Sequence, residues 1–146
     1  MGPPGKMDCL MLTPPNRLTR KNACTMGVYV TLFVFCHVIL VFQVYPRVPW
    51  PISATELLLA ILCLIFLFAT NCTSPGIIQN SVDFYDLVRV IDSTQLCPDC
   101  ETIRTSRSRH CAVCHACVER FDHHCPWVNN CIGVKNHNYF LAYITM

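Results

Sequence analysis

The sequence has little charge. Only 14% of its 146 residues are Asp, Glu, Lys or Arg, against an apolar share of 53%, a balance on the membrane side of the averages for globular chains. Neither sign dominates: the formal net charge is +2, so no general attraction to polyanions follows and no nucleic-acid partner is expected. No repeat of solenoid length is present. The amino terminus lacks a myristoylation signal, because Pro3 follows Gly2 and Lys6 stands where serine or threonine is needed.

The apolar excess is concentrated. Residues 1–26 form a polar, proline-containing tail that ends in Arg17, Arg20 and Lys21 and is expected to be disordered. Gly27 to Tyr45 then runs for 19 residues without a formal charge, about 28 Å as a helix and close to the hydrocarbon thickness of a bilayer. This predicts a first transmembrane helix over 27–45. A cleaved signal peptide fits less well, since a Pro-rich segment rather than a small-residue cleavage site follows Tyr45. A second uncharged run predicts a transmembrane helix over 56–72, extendable back through Ile52, with a short lumenal loop over 46–55. Basic residues crowd the amino-terminal side of the hairpin, while the loop carries only Arg47, so the N-terminus and everything after residue 72 are expected in the cytosol. Asn71-Cys72-Thr73 matches the glycosylation pattern but sits at the cytosolic edge, out of reach of that machinery. Residues 73–96 read as a cytosolic linker, with a short helix or strand near residues 84–91. Residues 139–146 read as the start of a third span.

Seven of the twelve cysteines lie between Cys97 and Cys131, interleaved with His110, His115, His123 and His124. A secreted disulfide scaffold has no use for histidines at this spacing, whereas zinc takes both thiolate and imidazole and suits a reducing compartment. Cys-x₂-Cys turns recur at Cys97/Cys100, Cys111/Cys114 and Cys114/Cys117. With Cys125 set aside as reactive, six thiols and two imidazoles make two Cys₃His sites, although spacing alone leaves open which ligands share a metal. It also leaves open a purely structural zinc module that recruits partners.

Asp122-His123-His124-Cys125 tips that balance toward chemistry. A free thiol is only a few per cent ionised at neutral pH, and a neighbouring imidazole raises the thiolate fraction. A carboxylate beside that imidazole sets its tautomer, the nucleophile, base and orienter relation of a catalytic triad.

The run from Cys97 to Cys131, Cys-x₂-Cys-x₉-His-Cys-x₂-Cys-x₂-Cys-x₄-Asp-His-His-Cys-x₅-Cys, resembles the cysteine-rich domain of the DHHC palmitoyltransferases, and Trp127, Asn130, Gly133, Asn136 and Phe140 extend the likeness. The resemblance implies an α-helical multi-pass membrane protein whose small cytosolic cysteine-rich domain, residues 97–138, is stabilised by two structural zinc ions. It implies Cys97, Cys100, His110 and Cys117 on one zinc and Cys111, Cys114, His124 and Cys131 on the other. Cys125 would be the nucleophile, His123 the base and Asp122 its orienter. The implied reaction is two-step: Cys125 takes an acyl group from long-chain acyl-CoA and passes it to cysteines of membrane-associated proteins. The lipid bilayer is then a partner, and the endoplasmic reticulum or Golgi the expected location.

The chain departs from the family pattern at Thr105 and at Ser74-Pro75-Gly76, each where a family member usually differs by one residue. It also lacks a full third span, a fourth span and a Thr-Thr-x-Glu motif. The chain alone is therefore expected to transfer acyl groups weakly or not at all, with a truncated non-catalytic form or a membrane-anchored zinc module as the alternatives. Of the remaining polar residues, His115 reads as solvent-facing and His37 as hydrogen-bonded to a neighbouring helix. Arg104, Arg107 and Arg109 read as contacts for phosphate groups or as a solvated loop. Trp127 reads as a packing residue at the membrane interface.

Overall fold

A computed structural model describes residues 17–79 and 95–146, with side chains from residue 23 onward. The linker segment near residues 84–91 lies outside the described residues. Helix α1 spans Arg17–Ile39 and continues through a π-helical turn, Leu40–Val44, and a 3₁₀ turn, Tyr45–Arg47. It therefore begins well inside the segment expected to be a disordered tail. Arg, Leu and Lys are good helix formers, and a helix already nucleated by the apolar run extends through them at little cost.

Pro46 explains the other end. It has no N–H, and its ring collides with the carbonyl four residues back. The turn before it widens, with Tyr45 N–H donating to Leu40 O. The Arg47 guanidinium then donates to Gln43 O, satisfying one of the carbonyls the turn leaves open.

Helix α2 spans Trp50–Cys72, starting earlier than the charge-free run because Pro51 sits in its first turn, where the missing N–H costs nothing. The predicted loop 46–55 thus shrinks to a two-residue connection. The stretches Ala23–Arg47 and Trp50–Cys72, of 25 and 23 residues, are each long and apolar enough to cross a membrane. They are joined within the hairpin by His37, whose Nε2 lies 3.0 Å from Glu56 Oε1 on α2 and whose Nδ1 lies 2.8 Å from Phe33 O.

After α2 the chain turns at Gly76 and docks against three two-stranded antiparallel hairpins. These are β1 (Leu96–Cys97) with β2 (Thr102–Ile103), β3 (Arg109–Cys111) with β4 (Ala116–Val118), and β5 (His124–Cys125) with β6 (Asn130–Cys131). Helix α3 (His137–Thr145) follows and packs on α2. Docking of the segment after α2 is a backbone affair: Ile78 N–H donates to Cys117 O, and Glu119 N–H to Gly76 O, both at 2.9 Å. Gly133 allows the close approach, since a Cβ there would stand 2.4 Å from Pro75 O and 2.6 Å from Val118 Cγ1.

The hairpins have little core of their own. One buried cluster joins Cys111, Val118 and Cys131; the other joins Leu67 of α2 to Cys125, Val128 and Ile132. The second cluster is where the cysteine-rich segment meets the long helices.

Candidate functional site

The first two hairpins each present a cysteine at the turn, Cys100 and Cys114, whereas the third offers His124 and Cys131 from its paired strands. The residues after Cys100 and Cys114, Glu101 and His115, both take left-handed backbone angles, with φ of 48° and 50°. This closes each Cys-x₂-Cys turn so that both sulfurs face inward. His115 is exposed and serves as a turn residue.

Two four-residue clusters result, Cys97, Cys100, His110 and Cys117 in one and Cys111, Cys114, His124 and Cys131 in the other, each with its ligand atoms within 4.8 Å of one another. A tetrahedral zinc with sulfur at about 2.3 Å and nitrogen at about 2.0 Å requires ligand-to-ligand edges of roughly 3.5–3.8 Å. The observed edges fall around these values: His110 Nδ1 lies 3.6 Å from Cys97 Sγ and 3.1 Å from Cys100 Sγ. His124 Nδ1 lies 3.8, 3.3 and 3.6 Å from the sulfurs of Cys111, Cys114 and Cys131. The donor set fits zinc in both clusters. The clusters interleave, because β3 carries His110 for one and Cys111 for the other.

Thiol protonation follows from the crowding. Burial pushes the Cys97 thiol up, but hydrogen bonds from Arg104, Cys117 and Cys100 outweigh it and leave it at about 7. Burial, then the hydrogen bonds to Cys97 and Cys100, pushes Cys117 up. In the other cluster, hydrogen bonds from Cys114 and Cys131 hold Cys111 well below the thiol range, and the bond to Cys111 pushes Cys114 up to about 12. Zinc binding to either tetrad would release the protons its thiols hold.

Two side chains stand behind the first cluster: Asp99, which carries no clear signal in the sequence, and Arg104, expected there as a phosphate contact or part of a solvated loop. Asp99 Oδ2 lies 3.7 Å from His110 Nε2, the ring nitrogen that faces away from the sulfurs. Carboxylates in this place commonly orient metal-binding imidazoles. Arg104 is half-buried and hydrogen-bonded to Cys97, so of the three arginines it belongs to the cluster. Arg107 instead lines a cavity of about 450 Å³ with Arg120, Asp122 and His137.

His124 opens β5, and His123 stands just before that strand. His124 turns to the cysteines. The His123 ring meets Phe140 edge-on at 5.2 Å, and its Nδ1 lies 3.5 Å from Asp122 Oδ2. The same carboxylate oxygen lies 3.9 Å from His137 Nε2, a neighbour that no sequence pattern signals.

Cys125 is 5% exposed. It is buried with Leu67, Val128 and Ile132, and Tyr29, Val30, Leu64, Phe140 and Tyr143 pack around that group. Trp127, two residues on, meets Tyr29 of α1 with ring centroids 6.4 Å apart, docking the loop after Cys125 on the first long helix.

A family model described as DHHC palmitoyltransferase matches residues 90–146. Palmitoyltransferase ZDHHC4 of Bos taurus is 37% identical over 131 residues, covering 77% of this chain and 38% of the relative. Palmitoyltransferase ZDHHC17 of Danio rerio is 33% identical over 131 residues, covering 84% and 21%. Palmitoyltransferase Hip14 of Drosophila melanogaster is 54% identical over 55 residues, covering 38% and 9%. The chain thus spans well under half the length of these relatives.

Proposed function

We propose, from the premise that this chain belongs to the DHHC palmitoyltransferase family, that it carries the nucleophile of a membrane-embedded protein S-acyltransferase. The observation that carries the reading is the division of labour in residues 122–125. The His123 imidazole stands 3.5 Å from the Asp122 carboxylate and meets Phe140, which also packs on the apolar group that buries the Cys125 thiol, while His124 between them turns to the metal cluster.

In the first step His123 takes the proton of Cys125 Sγ, and the thiolate attacks the carbonyl carbon of a long-chain acyl-CoA. The new C–S bond forms as the bond to the CoA sulfur breaks, and His123 returns the proton to that sulfur. In the second step a cysteine thiolate of a membrane-associated protein attacks the same carbon, and Cys125 leaves. Asp122 holds the base and favours its charged form during both transfers. The apolar residues around Cys125 favour a donor with a long hydrocarbon chain, each buried methylene contributing about 0.8 kcal/mol. Arg107 and Arg120 beside Asp122 offer cations for the donor's phosphates. Zinc, held by the two tetrads, supplies cross-links between loops too short to fold by burial alone.

The membrane assignment rests on α1 and α2. Both leave large apolar side chains such as Phe35, Phe42, Ile52 and Ile65 exposed along lengths that match a bilayer. With Arg17, Arg20 and Lys21 in the first turns of α1, ahead of its apolar stretch, the N-terminus and the zinc domain face the cytosol, where acyl-CoA is available.

The test is release of CoA from a long-chain acyl-CoA by the purified protein. His123→Ala should slow it by about 10²–10⁴-fold, and Asp122→Asn should slow it less. Rates unchanged in His123→Ala would contradict the assigned base.

A further inference from the structure

The carboxyl end of a helix leaves its last carbonyls without intrahelical partners. At the end of α2 side-chain amides from the cysteine-rich segment take them. Asn130 Nδ2 lies 3.1 Å from Thr70 O, 3.0 Å from Asn71 O and 2.9 Å from Thr73 O, so its two hydrogens are shared among three carbonyls. Asn136 Nδ2 donates to Cys131 O at 2.8 Å and reaches Thr70 O at 3.3 Å, while its Oδ1 accepts from Gly133 N–H at 2.9 Å. In the opposite direction, Asn71 Nδ2 donates to Val128 O at 2.6 Å. Asn136 is fully buried and Asn130 nearly so. Amides so deep are retained only when their polar atoms are paired.

Asn130 is also the cross-strand partner of Cys125 in the β5–β6 hairpin. The residue opposite the nucleophile is thus bolted to the last turn of α2, and Cys125 itself packs on Leu67, one turn earlier in the same helix. We propose that Asn130, supported by Asn136, is a positioning residue that sets the depth of Cys125 against α2. The thiol is thereby held at the apolar end of the site, where the carbonyl carbon of a long-chain thioester meets it, and kept from water. The assignment rests on Cys125 being the acyl carrier. The depth of Cys125, however, can be measured without any acyl transfer.

Asn130→Asp is the sharpest probe. It keeps the shape but removes the donor, and sets a carboxylate against carbonyls at the negative end of a helix dipole. In full-length protein in lipid nanodiscs, zinc content and the rate at which a water-soluble maleimide labels the Cys125 peptide are measured together, with acyl loading in parallel. The expected result is two zinc ions retained and a rise in Cys125 labelling on the order of tenfold or more, with a comparable fall in loading. Asn130→Ser, which keeps one donor, should fall between. Unchanged labelling in Asn130→Asp with both metals present would overturn the proposal. So would loss of zinc in both variants, which would make Asn130 a folding residue of the metal loops. Altered labelling in a protein whose wild type takes no acyl group would leave the depth assignment standing and refute the acyl-carrier reading instead.

Discussion

At the scale of single residues, neighbours in sequence have opposite tasks. Cys111→Ser removes a ligand from a closed tetrad and is expected to lose at least one zinc and expose the segment 97–131 to protease, whereas Cys125→Ser should keep both metals. Metal analysis beside limited proteolysis checks this; equal metal loss in the two variants would make Cys125 a ligand. His115 gives a second test. Its φ of 50° costs a side-chain-bearing residue about 1–2 kcal/mol, which glycine avoids. His115→Gly should therefore retain two zinc ions and melt no lower than the wild type. The sequence made these residues legible because thiols, imidazoles and carboxylates are rare enough for their spacing to stand out. It concealed Asp99 and His137, since a lone carboxylate or histidine carries no periodic signal until the fold brings it to a partner, and it pointed Arg104 to phosphate or solvent rather than to Cys97.

At the scale of elements, hydrophobic runs located both long helices but misplaced their starts. An apolar run marks only what the helix buries in an apolar medium, whereas the helix itself follows backbone propensity through Arg17 to Met26 and begins at Trp50 because Pro51 suits a first turn. The paired hairpins were invisible to periodicity: strands of two or three residues are too short to alternate. Their stability is therefore expected to depend on local fit. Gly133→Ala places a methyl group against Pro75 O and Val118, and should lower stability by about 1–3 kcal/mol. A fall in the thermal midpoint of the zinc-loaded protein, with zinc released at a lower temperature than in the wild type, is the expected observation. An unchanged midpoint would show that the segment after α2 does not dock as described.

At the scale of the whole molecule, α1 and α2 form an apolar hairpin, and the cysteine-rich segment caps the free end of α2. The Asn71 side chain is buried in that junction and donates to Val128 O, so its glycosylation pattern is blocked by packing as well as by the proposed orientation. Protein from microsomes should carry no glycan at Asn71, and residues 97–131 should be cleaved by protease added outside sealed vesicles. A glycan at Asn71, or protection of the zinc domain, would reverse the topology and cut Cys125 off from cytosolic acyl-CoA.

The central claim is that Cys125 carries the acyl group, and mapping that group tests it most directly. The purified protein is incubated with a tagged long-chain acyl-CoA, digested under mildly acidic conditions and examined by peptide mass spectrometry with and without hydroxylamine. The account predicts a hydroxylamine-labile acyl group on the peptide containing Cys125, absent in Cys125→Ser and strongly diminished in His123→Ala. An acyl group found at other cysteines and undiminished in Cys125→Ser would contradict it.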